Sequence, residues 1–234
     1  MIIVPIDIET IPDQRDGVYE RYLDEVEPPG NYKKQESIDR WLIDNAERVA
    51  LENWHKTALN GLHGEICSIS YAVDEGDIQT ITRGYNENDD EATLLSMFWF
   101  SLIKELEKFL DGRSPSRDCI KWVGHNVIDF DLRFIKQRSI VTGVRPWFDF
   151  NEREAFDTMK EWAGWRGTVS QDNLCKALDI VPPDEYKDVA DTDGSQVFKL
   201  YQDGEYEKIA KYNALDVWKV REIYRRMQYV RPDY

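Results

Sequence analysis

Residues 2–9 have the sequence IIVPIDIE, in which Ile6 and Ile8 alternate with Asp7 and Glu9. This alternation predicts a β-strand, because successive side chains of a strand point to opposite faces of a sheet. Asp7 and Glu9 then share one face and lie about 7 Å apart along the strand. Pro5 cannot donate a ladder hydrogen bond, so it predicts a free side or a bulge at that point.

The remaining sequence surrounds this strand with further elements. Residues 12–61 predict an α-helical insertion, since their apolar residues recur at helical spacing and no strand pattern occurs. The other predicted elements are a strand pair at 66–73 and 78–85, a helix at 89–110, a strand at 120–126, and helices at 130–141 and about 205–227. Together they predict an α/β fold with a central mixed β-sheet flanked by helices, and one domain over 1–234.

Composition agrees with a packed protein. The chain has 234 residues, of which 41% are hydrophobic, enough for one α/β core. No apolar run reaches the roughly 18 residues that would span a bilayer, and the N-terminus lacks the features of a signal peptide. We therefore expect no membrane contact and a cytoplasmic location. Three cysteines at wide spacing predict reduced thiols.

The charge of the chain gives arguments both against and for nucleic-acid binding. The net charge of −15 is opposite to the basic surface that nucleic-acid-binding proteins usually present. A carboxylate site filled with divalent cations would nevertheless be acidic by construction, and the cations reverse its local field. Residues 113–145 contain seven basic and three acidic residues. They form either a solvated helix face or a patch that contacts phosphates.

Two short motifs place carboxylates at the ends of predicted strands. Asp7 and Glu9 end an apolar strand, where burial would be costly without a cation between them. Hard oxygen ligands favour Mg²⁺ or Mn²⁺, although the strand could instead run out into a solvated loop. Asp131 follows the strand at 120–126 and falls in the first turn of the next predicted helix. Ligands of open α/β sheets bind beyond such strand ends, but an acid there also suits a helix start.

A third motif, YNALD at 212–216, lies in the last predicted helix. Tyr212 and Asp216 are four residues apart and share one helix face. Asp216 lies on the apolar stripe, seven residues from both Ile209 and Ile223. A carboxylate on this side needs a partner, which would be a metal ion or a buried arginine.

The order of these motifs resembles the DEDD exonuclease superfamily, which has a ribonuclease H-like fold. DIET at 7–10 is similar to its first motif, GHNVIDFD at 124–131 to its second, and YNALD to the third motif of the tyrosine subclass (DEDDy). The chain most resembles the stand-alone predicted exonucleases related to the proofreading domain of family-B DNA polymerases. IDIETIPD and the residues around YNALD carry that likeness, and 12–61 carry least of it.

The resemblance implies the site residues. The implied catalytic set, of which the four carboxylates also bind metal, is Asp7, Glu9, Asp131, Asp216 and Tyr212. The implied substrate-binding residues are Thr10, Asn126 and Phe130. His125 is expected to serve the turn rather than the reaction, because the third motif carries Tyr212. Asp157 is expected to support the site from outside.

The resemblance also implies a reaction. Two divalent cations, Mg²⁺ or Mn²⁺, would promote hydrolysis of the terminal phosphodiester bond and release nucleoside 5′-monophosphates. The expected substrate is DNA, with single-stranded 3′ ends favoured. Two alternatives remain: an exoribonuclease with the same site, and a nucleic-acid-binding subunit that keeps the fold without turnover. Any role in DNA replication or repair would require partner proteins acting in trans.

Overall fold

The computed structural model describes residues 1–85, 89–110, 113–148, 150 and 155–230. The chain divides into two compact units. The larger unit comprises Met1–Glu9 and Ile66–Tyr234, and the smaller unit comprises Thr10–Glu65.

A five-stranded sheet forms the centre of the larger unit. Its strands are β1 (Ile2–Ile11), β2 (Glu65–Tyr71), β3 (Gln79–Thr82), β4 (Ile120–Gly124) and β5 (Phe156–Asp157). They lie in the order β3-β2-β1-β4-β5. β1, β4 and β5 pair in parallel, whereas β2 and β3 are antiparallel. The predicted mixed sheet is therefore confirmed.

The expectation from Pro5 is wrong, because β1 has a paired neighbour on each side. Pro5 aligns with Val123 of β4, and its carbonyl accepts the Ala72 N–H at 3.0 Å. An antiparallel pair of this kind normally exchanges two hydrogen bonds, and proline lacks the N–H for the second. β1 therefore accommodates Pro5 inside the sheet and lacks one backbone hydrogen bond to the neighbouring segment.

Helices pack on the sheet or on one another, and the two longest of the larger unit have the apolar spacing that the sequence predicted. Those of the larger unit are α3 (Glu91–Phe109), α4 (Asp131–Thr142), α5 (Thr158–Ala163), α6 (Gln171–Ala177), α7 (Val197–Gln202) and α8 (Tyr206–Met227). The core cluster joins α3, through Leu95, Phe98 and Leu102, to Ile6 and Ile69 of the sheet. Asp90 caps α3 by accepting the Thr93 N–H at 2.7 Å.

One member of the basic stretch at 113–145 is buried. The Arg138 guanidinium donates to both carboxylate oxygens of Glu91, and Glu91 also accepts the Ile66 N–H at 2.7 Å. Arg133 and Lys136, on the same helix, are exposed. Arg138 therefore contributes to neither the solvated helix face nor the phosphate-contacting patch considered for this stretch.

The smaller unit is helical, as the sequence predicted for 12–61. It contains α1 (Val18–Asp24), α2 (Gln35–Lys56) and a 3₁₀ turn at Thr57–Leu59. The indole N–H of Trp54 donates to the Asp13 carbonyl at 2.8 Å, and the Trp54 ring meets the Tyr19 ring edge-on at 5.7 Å.

Two further expectations concern the whole chain. Cys67, Cys119 and Cys175 form no disulfide with one another, which confirms the prediction of reduced thiols from their spacing. Among the helices of the described residues, none combines the length and the apolar character needed to cross a membrane.

Candidate active site

Three carboxylates converge in the larger unit. Ligand oxygens of Asp7, Glu9 and Asp216 lie within 4.8 Å of one another. Glu9 and Asp216 are buried, and Asp7 is half-buried. A cavity of about 210 Å³ lies beside them, and its lining includes Asp7, Tyr212, Asp216 and Lys219. Within the described residues, no other group of three metal-ligating side chains is gathered this closely.

The local structure explains this convergence. Asp7 and Glu9 are two residues apart in β1, so the strand presents both on one face. Asp216 reaches them from α8, whose buried positions include Ile209, Tyr212 and Val220. The predicted same-face placement in β1 and the predicted apolar stripe of α8 together bring the three acids to one point.

Burial makes these carboxylates unusually basic. Desolvation raises the pKa of Asp7 well above its ordinary range, and the charges of Asp131 and Asp216 raise it further. Desolvation also raises the pKa of Glu9, with the charges of Asp216 and Asp131 adding to it. The pKa of Asp216 is raised by desolvation as well. A cation in the cluster would relieve this cost.

Asp131 lies at the first residue of α4 and outside the three-carboxylate cluster. Its Oδ1 accepts the Ile8 N–H at 3.0 Å, so it is tied to β1 between Asp7 and Glu9. Desolvation raises the pKa of Asp131 to about 8, with charge from Asp157 and Asp216 contributing. Asp131 is therefore electrostatically part of the same acidic centre.

Sequence reasoning missed Asn213, which orients Asp7. The fully buried Asn213 amide donates to Asp7 Oδ2 at 2.7 Å, and its oxygen accepts the Ser68 hydroxyl at 2.9 Å. Ser68 in turn lies 2.9 Å from the Thr82 hydroxyl. This hydrogen-bond chain connects β3 and β2 through α8 to Asp7. The signal was present, since Asn213 stands inside the third motif beside Tyr212.

Lys219 is a second residue that sequence reasoning missed. Its buried ammonium donates to Asp216 Oδ1 and to Asp172 Oδ1, both at 3.0 Å. Desolvation lowers the pKa of Lys219, but the charges of Asp216 and Asp172 outweigh it and leave the pKa raised. Gln171 adds a bond from its amide to the Asp216 carbonyl at 3.0 Å. Lys219 follows Asp216 by three residues, so helical spacing could have placed it on the same face.

Tyr212 is buried and lines the same cavity as Asp216. Desolvation raises the pKa of its hydroxyl well above the ordinary value, and the neighbouring charges of Asp216 and Glu9 raise it further. The phenol therefore keeps its proton at neutral pH.

The loop after β4 is held by Asp157. The Asp157 carboxylate accepts the N–H groups of Asn126 at 3.0 Å and Ile128 at 3.3 Å, and it also caps α5. Asn126 has a left-handed backbone, with φ of 61°. Phe130 packs against Phe134 at 5.4 Å between ring centroids. Asp157 thus shapes the loop that leads to Asp131.

His125 and Thr10 have structural partners. The His125 ring nitrogens lie 2.9 Å from the Thr158 hydroxyl and 2.8 Å from the Val169 carbonyl. Desolvation lowers the pKa of His125, which favours the neutral ring. Thr10 belongs to the smaller unit, where its hydroxyl donates to the Ala58 carbonyl at 2.7 Å.

The donor set fits a divalent cation. Asp7, Glu9 and Asp216 supply only hard oxygen ligands, as Mg²⁺ and Mn²⁺ prefer. The one positive side chain bonded to this cluster is Lys219, within the described residues. Three mutually repelling carboxylates remain undercompensated by one ammonium, and a bound cation would supply the missing charge.

Residues 59–233 match the profile of a family described as "Predicted 3'-5' exonuclease related to the exonuclease domain of PolB". The chain belongs to this family. The match covers about three quarters of the sequence, including the motifs at 124–131 and 212–216. Membership in this PolB-related exonuclease family makes the chain a predicted 3′–5′ exonuclease, a class of hydrolase whose substrate is nucleic acid.

The fold of this chain is also found in a solved polymerase structure. The chain is similar to the family B DNA polymerase from the hyperthermophilic archaeon Pyrobaculum calidifontis, with a TM-score of 0.56 and 13% identity. The similarity covers 98% of this chain and 24% of the polymerase chain. At this identity it concerns the fold alone, and it confirms the predicted ribonuclease H-like α/β architecture. No curated protein sequence matches the chain.

Proposed function

We propose that this chain is a 3′–5′ exonuclease of the tyrosine subclass that hydrolyses the terminal phosphodiester bond of DNA. The convergence of Asp7, Glu9 and Asp216 within 4.8 Å carries this proposal. Single-stranded 3′ ends are the favoured substrate, and nucleoside 5′-monophosphates are the product. The whole of 1–234 acts as one exonuclease domain into which the helical residues 12–61 are inserted.

The proposed cofactor is a pair of Mg²⁺ or Mn²⁺ ions. Asp7, Glu9, Asp131 and Asp216 would hold them. Such ions activate a water and stabilise negative charge on the attacking and leaving oxygens. The donor chemistry supports the proposal, because all four residues are buried or half-buried carboxylates with raised pKa values.

The remaining polar residues have positioning roles in this proposal. Tyr212, which keeps its proton, orients the attacking water by a hydrogen bond. Asn213 holds Asp7 in its present orientation, and Lys219 does the same for Asp216. The substrate-binding roles of Asn126 and Phe130 rest on their place in the loop that Asp157 holds. Thr10 is proposed to contact substrate from the position that follows Glu9.

The test is an exonuclease assay with two labels. Purified protein is incubated with 3′-labelled and 5′-labelled single-stranded DNA, in Mn²⁺ or in EDTA, beside Asp7→Ala. We expect early release of mononucleotide from the 3′ label alone, and loss of release in EDTA and in the variant. Asp77→Ala is the matched control, since Asp77 is exposed in the turn between β2 and β3.

Other outcomes would change the proposal in defined ways. Release from RNA but not from DNA would replace the substrate and keep the site. Release that survives EDTA or Asp7→Ala would contradict the metal site. Binding of nucleic acid without any release, by a folded protein, would favour the non-catalytic subunit.

A further inference from the structure

A tight turn at Gly164–Gly167, here called the tryptophan turn, presents an indole ring to solvent. Gly164 has φ of 75°, and its N–H donates to the Lys160 carbonyl at 2.8 Å. A Cβ on Gly167 would lie 2.2 Å from the Ala163 carbonyl oxygen, so only glycine fits there. Two glycines thus hold a turn on which Trp165 is 82% exposed.

A lysine lies against one face of this indole. The Lys160 ammonium is 4.5 Å from the centroid of the Trp165 ring, a cation–π distance. Its side chain is only 9% exposed, and it forms an ion pair with Asp129 at 2.9 Å. The nitrogen itself is buried. Lys160 therefore supports one face of the indole from below, while the exposed ring leaves its other face open.

The segments on both sides of the tryptophan turn contact the loop that follows β4 and leads to Asp131. Before it, Lys160 pairs with Asp129, which stands two residues from Asp131. After it, the Val169 carbonyl bonds to His125, which follows the end of β4. The turn therefore lies at the carboxyl-terminal edge of the sheet, where α/β folds bind their ligands.

The chemistry of the turn suits an unpaired nucleotide. An indole this exposed offers a flat aromatic face on which another ring can stack. Aromatic rings stack on nucleic-acid bases regardless of sequence, and lysine or arginine alongside contacts the phosphates. Arg166, the next residue, is also exposed. A base inside a duplex has both faces covered, so only an unpaired base can stack on such a ring.

We infer that Trp165 stacks on an unpaired base of the substrate strand, with Lys160 supporting the opposite face of the indole. This inference rests on the proposed exonuclease function and narrows its substrate to strands that are single or frayed near the 3′ end.

Binding of a defined probe tests the stacking. The probe is a 5′-labelled 15-nucleotide single strand of the sugar type that the wild-type protein digests, with phosphorothioate linkages at its 3′ end to slow cleavage. We expect Trp165→Ala to weaken binding about 5- to 100-fold and Trp165→Phe to restore part of it. The matched control is Trp147→Ala, which removes another exposed indole, 62% accessible, and should leave binding unchanged.

Probes with missing bases identify the contact. Abasic sites are placed one at a time along the strand from its 3′ end. At one position the abasic probe should bind wild type more weakly, and there Trp165→Ala should cause no further loss, because the stacking partner is already absent. A penalty from Trp165→Ala that is the same on every abasic probe would overturn the stacking assignment.

The two levels of the proposal fail differently. If wild type digests the strand but Trp165→Ala binds it as Trp147→Ala does, the inference is wrong and the exonuclease stands. If wild type neither binds nor digests DNA or RNA, both are wrong.

Discussion

Two carboxylate sites in this molecule have opposite surroundings. Glu91 shares its oxygens with the Arg138 guanidinium and the Ile66 N–H, so its charge is matched by a neighbouring cation. Asp7, Glu9 and Asp216 lie within 4.8 Å of one another, and Lys219 is the cation bonded to them within the described residues.

The difference separates a structural role from a functional one. In a buried ion pair each charge is neutralised by its partner. Removing one partner destabilises the fold because it leaves an unpaired charge in the core. A cluster of like charges without enough cations lowers the stability of the folded protein. Such a cluster is expected where a bound ligand supplies the missing positive charge. Two glutamates, Glu91 and Glu9, therefore give matched tests of the two roles.

Glu9→Gln should have the largest effect on activity and the opposite effect on stability. We expect exonuclease activity to fall by more than about 100-fold, because a direct ligand matters more than the partners that orient it. In EDTA the melting temperature should rise by roughly 2–4 °C for each kcal/mol of repulsion removed. A fall in melting temperature in EDTA would contradict the claim that the cluster is unbalanced.

Glu91→Gln should do the reverse. Arg138 would lose its carboxylate while buried, and we expect the free energy of unfolding to fall by about 3–5 kcal/mol. Urea denaturation measures this change. Activity per folded molecule, measured well below the midpoint, should stay near that of wild type. A stability loss below about 1 kcal/mol would show that the pair is not the buried support that its contacts indicate.

pH should change stability in the absence of metal. Burial raises the folded-state pKa of Asp131 to about 8, above the roughly 3.9 of an unfolded aspartate. The folded state then binds more protons, so stability is highest at low pH and falls as pH rises toward 8. We expect the protein in EDTA to be about 1–3 kcal/mol more stable at pH 5.5 than at pH 8.

Metal should remove much of this dependence. Saturating Mg²⁺ or Mn²⁺ binds the ionised carboxylates, so it stabilises the protein more at pH 8 than at pH 5.5. Melting curves with EDTA and with MgCl₂ at both pH values give the four numbers required. If the melting temperature depends on pH equally with and without metal, these carboxylates do not bind the metal.

Asn213→Ala should have the smallest effect of this series. Asp7 would keep its charge but lose the amide that orients it, and we expect activity to fall about tenfold, or about 1.4 kcal/mol. Steady-state rates at saturating metal measure this loss. Asn173→Ala, on the exposed side of α6, should leave the rate unchanged. Full activity of Asn213→Ala would contradict the proposal that Asn213 orients Asp7.

Sequence periodicity was sufficient for much of the fold and for the positions of three acids. Alternation put Asp7 and Glu9 on one face of β1, and seven-residue spacing put Asp216 on the buried stripe of α8. Both predictions depend only on the repeat of a strand or helix, which the local sequence determines. The family match and the polymerase fold agree with the resulting architecture. The roles of the individual site residues stay predictions until they are tested.

Contacts between distant segments could not be predicted in this way. Asn213 bonds Asp7 across 206 residues of sequence, and Arg138 bonds Glu91 across 47. An amide or a guanidinium on a helix has no periodic signal that names its partner. The Pro5 prediction failed for a related reason, since the pairing of β1 on both sides depends on two strands that come later in the chain.

The bond from Asn213 to Asp7 also has a consequence in time. Ribosomes add about 5–20 residues per second, so the 206 residues added after Asp7, up to and including Asn213, take roughly 10–40 s to synthesise. During that interval the growing polypeptide carries Asp7 and Glu9 without α8 and without Asp216. A nascent chain at that stage therefore lacks the three-carboxylate cluster on which the proposed activity rests.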